Sequence, residues 1–491
     1  MKRILSLLVV AGLAIGLSGC SNLVPVSDVY SQKINWSLCD NNMFQCGTIK
    51  VPVDWAKPDG DQIELSLTRK FTNDALGSIV LNPGGPGGSG VDFLINNYDS
   101  IGTQTLRDSY TFVSFDPRGV QRSAKVTCFD SKGTDHLLYD STNAEPGSAK
   151  DVELMRVELK AFSEACKKNT GAILGHVDTV SAAKDMDVIR SALGDEKLNY
   201  LGFSYGTFLG ATYATLFPEK VGRFVLDGAI DPRVSDEQQS INQLKGFDLA
   251  LTNYLKDCLK NDADCPFAGS LENAKTEVSS FLKKMESQTL PTKDGRKLSL
   301  ASATTGLIMA LYSDTYWPYL TQAFTEALKS KDGSTFILLA DFYNDRDQNG
   351  KYSSNSLEAN IAINCLDSRS SSKPEAMAKQ NARLLAMSPI LGRYWQNGAL
   401  TCEQWPYPVA ERPESYAAKG APTILVIGTT GDPATPYEQS VALAHEVLEK
   451  GFLITFKGEG HTAYGRSNEC VSLAVDDFFI TGKIPAKEPI C

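Results

Sequence analysis

The architecture of this chain turns on Leu198-Asn199-Tyr200-Leu201-Gly202-Phe203-Ser204-Tyr205-Gly206-Thr207. The first four residues read as a short strand ending at Gly202, and Thr207–Phe217 reads as a helix starting just beyond the turn. Gly202-Phe203-Ser204-Tyr205-Gly206 fits G-x-S-x-G, the pattern that holds a serine on a strained strand-to-helix turn. Gly202 and Gly206 carry no Cβ to clash there. The Ser204 hydroxyl is therefore expected at the C-terminal edge of a sheet, near the positive end of the following helix.

Working outward, other short apolar runs end in Gly or Pro signals: Ser78–Leu81, Thr111–Phe115 and Arg223–Leu226, with an alternating strand over Ile63–Thr68. A helix over Ser181–Leu193, capped by Asp178 or Thr179 and ended by Gly194, lies between them. Strand–helix alternation predicts an α/β fold, a mostly parallel sheet with helices on both faces. After Asp231-Pro232 the strand signals fade. Gln238–Leu259, Leu271–Met285, Ala301–Leu328 and Pro374–Leu385 carry helical periodicity. Thr423–Ile427 and Leu453–Phe456 then restore the earlier pattern. The expected organisation is a leader (1–19), a tether (20–35), a first core part (36–232), a large, mainly helical cap inserted before the last strands (233–415) and a second core part (416–491).

Composition narrows the function. The 491 residues are 42% hydrophobic and 22% charged, which excludes a disordered or fibrous chain. A net charge of −10 with no basic run argues against nucleic acid as a partner. Lys2 and Arg3 precede a largely apolar run of fourteen residues from Ile4 to Leu17, too short for a bilayer core of roughly 30 Å. The run ends in Leu17-Ser18-Gly19-Cys20, which resembles a bacterial lipobox, so Cys20 is the expected lipidation site and the only expected membrane attachment. Export fits the ten remaining cysteines, 39, 46, 128, 166, 258, 265, 365, 402, 470 and 491, an even number that reads as disulfides. Proximity favours Cys39–Cys46 and Cys258–Cys265 and leaves the others open. No C-x₂-C pair occurs, and four histidines without ligand spacing offer no metal site.

A serine nucleophile needs a base, and histidine suits neutral pH. His136 lies in a polar segment, His176 precedes a helix upstream of the serine, and His445 falls within the helical pattern Glu438–Lys450. His461, in Gly458-Glu459-Gly460-His461 after a strand, is the candidate base. The acid is expected at Asp432, after the strand that runs into Gly428-Thr429-Thr430-Gly431, with Asp227 and Asp231 as rivals. Thr435-Pro436-Tyr437-Glu438 reads as a capping box with Pro436 in the first helical position. Two backbone amides should face the developing oxyanion. Tyr205 supplies one, and Gly85, in a nine-residue loop with five glycines (Asn82–Gly90), supplies the other.

Together, Pro83-Gly84-Gly85-Pro86-Gly87-Gly88, Asp116-Pro117-Arg118-Gly119, Gly202-Phe203-Ser204-Tyr205-Gly206-Thr207, Asp227-Gly228, Gly431-Asp432-x-x-Thr435-Pro436 and Gly460-His461 resemble the α/β-hydrolase serine peptidases related to prolyl aminopeptidase. More narrowly, the chain is similar to the secreted tripeptidyl-aminopeptidase-like enzymes of actinobacteria; Pro83 stands where prolyl aminopeptidases begin the loop with histidine. The resemblance implies an α/β-hydrolase fold, removal of short peptides from free N-termini without a cofactor, and five sequential disulfides. It also points to Asn364-Cys365-Leu366-Asp367, with Asp367 as a candidate anchor for the substrate amine. A lipid-anchored, extracytoplasmic monomer acting on peptides is the resulting expectation. A carboxylesterase with the same triad, or a non-catalytic solute-binding lipoprotein, remains open at this point.

Overall fold

The computed structural model describes residues 29–142, 144–261 and 263–491; the leader, Cys20 and the first part of the tether lie outside them. Among the described residues eleven strands form, β1 (Ser37–Cys39), β2 (Phe44–Pro52), β3 (Gln62–Lys70), β4 (Ser78–Asn82), β5 (Thr111–Phe115), β6 (Leu198–Phe203), β7 (Val221–Asp227), β8 (Leu290–Pro291), β9 (Lys297–Leu298), β10 (Ile424–Gly431) and β11 (Gly451–Glu459). Nine make one sheet in the order β1-β2-β3-β5-β4-β6-β7-β10-β11. From β5 to β11 all neighbours are parallel, while β1, β2 and β3 form an antiparallel flank.

The central strands are continuous apolar runs because both faces of the sheet are covered. Ile79, Leu81, Leu201, Val225, Leu425 and Ile427 enter one apolar cluster. Their neighbours Val80, Tyr200, Leu226 and Val426 enter the other. Covering helices start and stop where local chemistry dictates. In Thr179–Leu193 the Asp178 carboxylate accepts the Ser181 N–H, and Gly194 ends the helix at φ +83°. This is an α/β-hydrolase fold with a helical region between β7 and β10.

That region buries a second core, including Leu244, Phe247, Leu282, Leu307, Phe324 and Phe336. The single helix expected over Ala301–Leu328 is broken. Leu300–Leu311 ends, Ser313 caps a 3₁₀ turn, and a new helix starts at Trp317 with Pro318 in its first turn. Proline has no N–H to give an interior helical bond, so the break falls where Pro318 is tolerated. The Ser356–Asp367 helix packs differently from its neighbours. Its Ala359, Ala362, Ile363 and Leu366 join the cluster beneath the sheet rather than the second core. Among the described residues five disulfides close, Cys39–Cys46, Cys128–Cys166, Cys258–Cys265, Cys365–Cys402 and Cys470–Cys491. No helix among the described residues is long and apolar enough to cross a membrane.

Candidate active site

Ser204 follows β6 and precedes the Tyr205–Leu216 helix, with φ +56° and ψ −124°. A non-glycine residue there costs about 1–3 kcal/mol, and the surroundings hold it. The Ser204 N–H donates to Asp227 O at 2.9 Å, and its carbonyl accepts the Thr207 N–H at 2.8 Å. A Cβ on Gly202 would come within 2.5 Å of Gly206 O, so the tight turn requires glycine. Gly84, at φ +93°, approaches from the loop after β4; a Cβ there would lie 2.5 Å from Phe203 O and 2.9 Å from the Ser204 Cβ. The Gly-rich loop is thereby seated on the serine turn. Neither the Gly85 N–H nor the Tyr205 N–H donates to another group among the described residues.

Asp432 and His461 stand on the loops after β10 and β11. The His461 Nδ1 lies 2.9 Å from both carboxylate oxygens. The Asp432 Oδ1 also accepts N–H bonds from Ala434 (2.9 Å) and Thr435 (2.8 Å), and its Oδ2 accepts that of Thr462 (3.2 Å). The carboxylate is fully buried and the imidazole partly so. Thr435 is not the cap that its sequence setting suggests. The helix starts at Tyr437, Pro436 occupies the cap position, and the Thr435 hydroxyl sits 3.1 Å from Asp432 Oδ2 and 3.3 Å from His461 Nδ1. The tight Asp432 turn takes the Thr435 N–H for itself, which removes the residue from the helix and adds it to the site.

Asp227, a rival for the acid, is buried and accepts the N–H groups of Ala463 and Tyr464 at 2.7–3.1 Å. It braces the backbone just past His461, and burial pushes its carboxyl up to about 6. Asp231, the other rival, forms an ion pair with Arg233. His136 pairs with Asp140 and His445 with Glu488, both on exposed surfaces.

Ser204 and His461 line one cavity of about 410 Å³, together with Pro83, Gly84, Gly85, Tyr312, Tyr343 and Glu358 among others. No hydrogen bond joins the Ser204 hydroxyl to His461 among the described residues, and base–nucleophile contacts of this kind commonly tighten only when substrate is bound. Asp345 and Glu358 are the carboxylates on the lining, which holds no lysine or arginine. Asp345 accepts the Ser354 hydroxyl at 2.5 Å. Glu358 is part-buried, accepts no side-chain hydrogen bond among the described residues, and is held above the usual carboxylate range by burial.

Asp367 does not line this cavity. It ends the Ser356–Asp367 helix, and its buried carboxylate accepts the Thr179 N–H at 2.9 Å and the Thr179 hydroxyl at 2.5 Å. The Thr179 hydroxyl in turn meets that of Tyr205. Both oxygens of Asp367, the residue expected to anchor the substrate amine, are engaged by Thr179 inside the protein. Burial pushes this carboxyl up to about 7. The folded chain thus holds a proton that the unfolded chain releases near pH 4, so this group lowers stability as pH rises from about 4 to 7, by at most about 4 kcal/mol. Asp367→Asn is expected to flatten that part of the dependence, read as thermal midpoints at pH 4.5 and 7.

The fold and the residues gathered at this sheet edge define a serine hydrolase. Relatives make the class narrower. Serine protease Hip1 of Mycobacterium tuberculosis is 36% identical over 98% of this chain and 96% of its own length. Carboxylesterase B of the same species is 35% identical over 95% and 91%, and tripeptidyl aminopeptidase of Streptomyces lividans is 32% identical over 93% and 86%. The pattern of the family described as TAP-like protein matches residues 388–491. The chain belongs to the TAP-like family of α/β-hydrolase serine peptidases.

Proposed function

We propose that this protein releases short peptides from free N-termini through an acyl-enzyme on Ser204. His461 takes the serine proton and later gives it to the leaving amine. Asp432 fixes the imidazole with Nδ1 protonated and Nε2 free to act as base. The amides of Gly85 and Tyr205 hold the oxyanion. The observation that carries the substrate class is Glu358, a carboxylate in the same cavity as Ser204 and His461 that is bonded only to its own backbone N–H and feels the charge of Lys125, which does not line the cavity. A desolvated carboxylate so placed suits an ammonium group, and Glu358 takes the role first given to Asp367. The helix bearing Glu358 leans on the oxyanion loop, where Asn360 Nδ2 donates to Pro86 O at 3.1 Å. This puts the anchor on the acyl side of Ser204. The names of two relatives, serine protease and tripeptidyl aminopeptidase, agree with the reading.

The same proposal covers the organisation and location. Residues 36–232 and 416–491 form the catalytic core, 233–415 form a cap over it, and Cys20 carries the lipid that keeps a monomeric enzyme on the outer face of the cell membrane.

The test compares a tripeptide anilide, its N-blocked form and a short ester. The free amine should be preferred, and Glu358→Gln should raise KM for it by about tenfold or more without changing the blocked substrate. Protonation removes the anchor's charge, so KM for the free amine rises as pH falls, beginning above the ordinary carboxylate range. Preference for the ester or the blocked form would instead favour the esterase reading, which the relative named carboxylesterase B keeps in view.

A further inference from the structure

Other residues of the cavity lining have a different character. The His461 N–H donates to Tyr312 O at 2.7 Å, and the Tyr312 ring meets the imidazole edge-on at 5.7 Å between centroids. Tyr312 also contacts Tyr343 at 6.0 Å. Both tyrosines line the cavity. Tyr343 ends the Ser334–Tyr343 helix, and one step back Phe342 packs on Tyr316 at 6.1 Å. This helix also turns apolar side chains outward: Leu338 and Phe342, four residues apart, are each 62% exposed, and Tyr343 is 45% exposed. Leu and Phe at i and i+4 stand side by side on a helix surface. Two aromatic pairs, Tyr312–Tyr343 beside the imidazole and Tyr316–Phe342 further out, thus lead from the cavity toward the exposed Leu338.

Its position relative to the chemistry says what it meets. When the acyl-enzyme forms, the carbon–nitrogen bond breaks and the departing nitrogen takes its proton from His461. The leaving chain must then lie on the imidazole side of the scissile bond, away from the oxyanion loop and Glu358. We infer that Tyr312, Tyr343, Phe342 and Leu338 form a binding shelf for the residues that follow the scissile bond, and that it selects polypeptides with apolar side chains there. This rests on the peptidase reading of Ser204 and His461 and adds a specificity determinant on the leaving-group side.

The experiment uses the full protein and paired peptides that share the first three residues and differ only afterwards, Leu-Phe-Leu-Phe against Ser-Gln-Ser-Gln. Mass spectrometry of the products gives a ratio of kcat/KM values, which does not depend on the folded fraction. The ratio should favour the apolar partner by about tenfold in the wild type. It should fall to about twofold in the Leu338→Ser/Phe342→Ser double variant. A ratio near one in the wild type, or one that survives the double substitution, overturns the shelf. Labelling of Ser204 by a fluorophosphonate without cleavage of either peptide overturns the peptidase reading itself, and the shelf with it.

Discussion

Ser204→Ala is expected to lower kcat on any anilide, peptide or ester substrate by on the order of 10⁴- to 10⁶-fold and to abolish fluorophosphonate labelling, while the protein stays folded by circular dichroism. The size follows from what is lost. Without the hydroxyl there is no acyl-enzyme, and the imidazole and acid have nothing to activate. What remains is the oxyanion pocket and substrate binding, which on their own leave a residual acceleration over water. The substitution sits at φ +56°, a strained angle that alanine meets at a cost similar to serine's, so stability and chemistry separate cleanly. Persistent labelling in the variant would show that another residue reacts.

Asp432→Asn should cost about 10⁴-fold in kcat and about 1–3 kcal/mol of stability, since the Thr462 N–H loses its acceptor. The direction comes from the hydrogen bonds around the carboxylate. Asp432 Oδ1 is fixed as an acceptor by the N–H groups of Ala434 and Thr435. The introduced amide would keep its oxygen there and turn its NH₂ toward His461 Nδ1 and Thr462 N. Nδ1 must then accept, the proton moves to Nε2, and the imidazole loses the lone pair that the serine needs. Activity should fall evenly on free-amine and blocked substrates, unlike the KM effect of Glu358→Gln. A loss confined to KM would mean that Asp432 binds substrate rather than orienting His461.

The parts of this site that could be read from the chain are those encoded over a few residues. Gly202–Gly206 lies between a strand and a helix, and a turn that needs two glycines around a serine leaves a local signature. The pairing of Asp432 with His461 was reachable because only four histidines occur and only one follows a late strand. Thr435 was hidden by its own setting: Thr-Pro-x-Glu is a helix start by every local rule, and the competing hydrogen bonds come from the Asp432 turn. Glu358 carried no signal, since its exposure to the cavity depends on how the Ser356–Asp367 helix lies across the Gly-rich loop. Asp367 drew attention through a neighbouring cysteine, yet its contacts are with Thr179, nearly two hundred positions away. The central strands were legible as apolar runs. The antiparallel pair β1 and β2 was not, because flank strands mix polar and apolar residues and blur into loops.

The pairing of β7 with β10 sets the order in which this protein comes into being. As the polypeptide is synthesised, the strand at Val221–Asp227 waits with an open edge while almost two hundred further residues are added. Acid and base both arrive after that interval, on the last two strands. An unfinished or prematurely truncated chain is therefore incapable of proteolysis and prone to edge-to-edge aggregation. Connectivity alone thus keeps a partial chain from acting on itself or its neighbours.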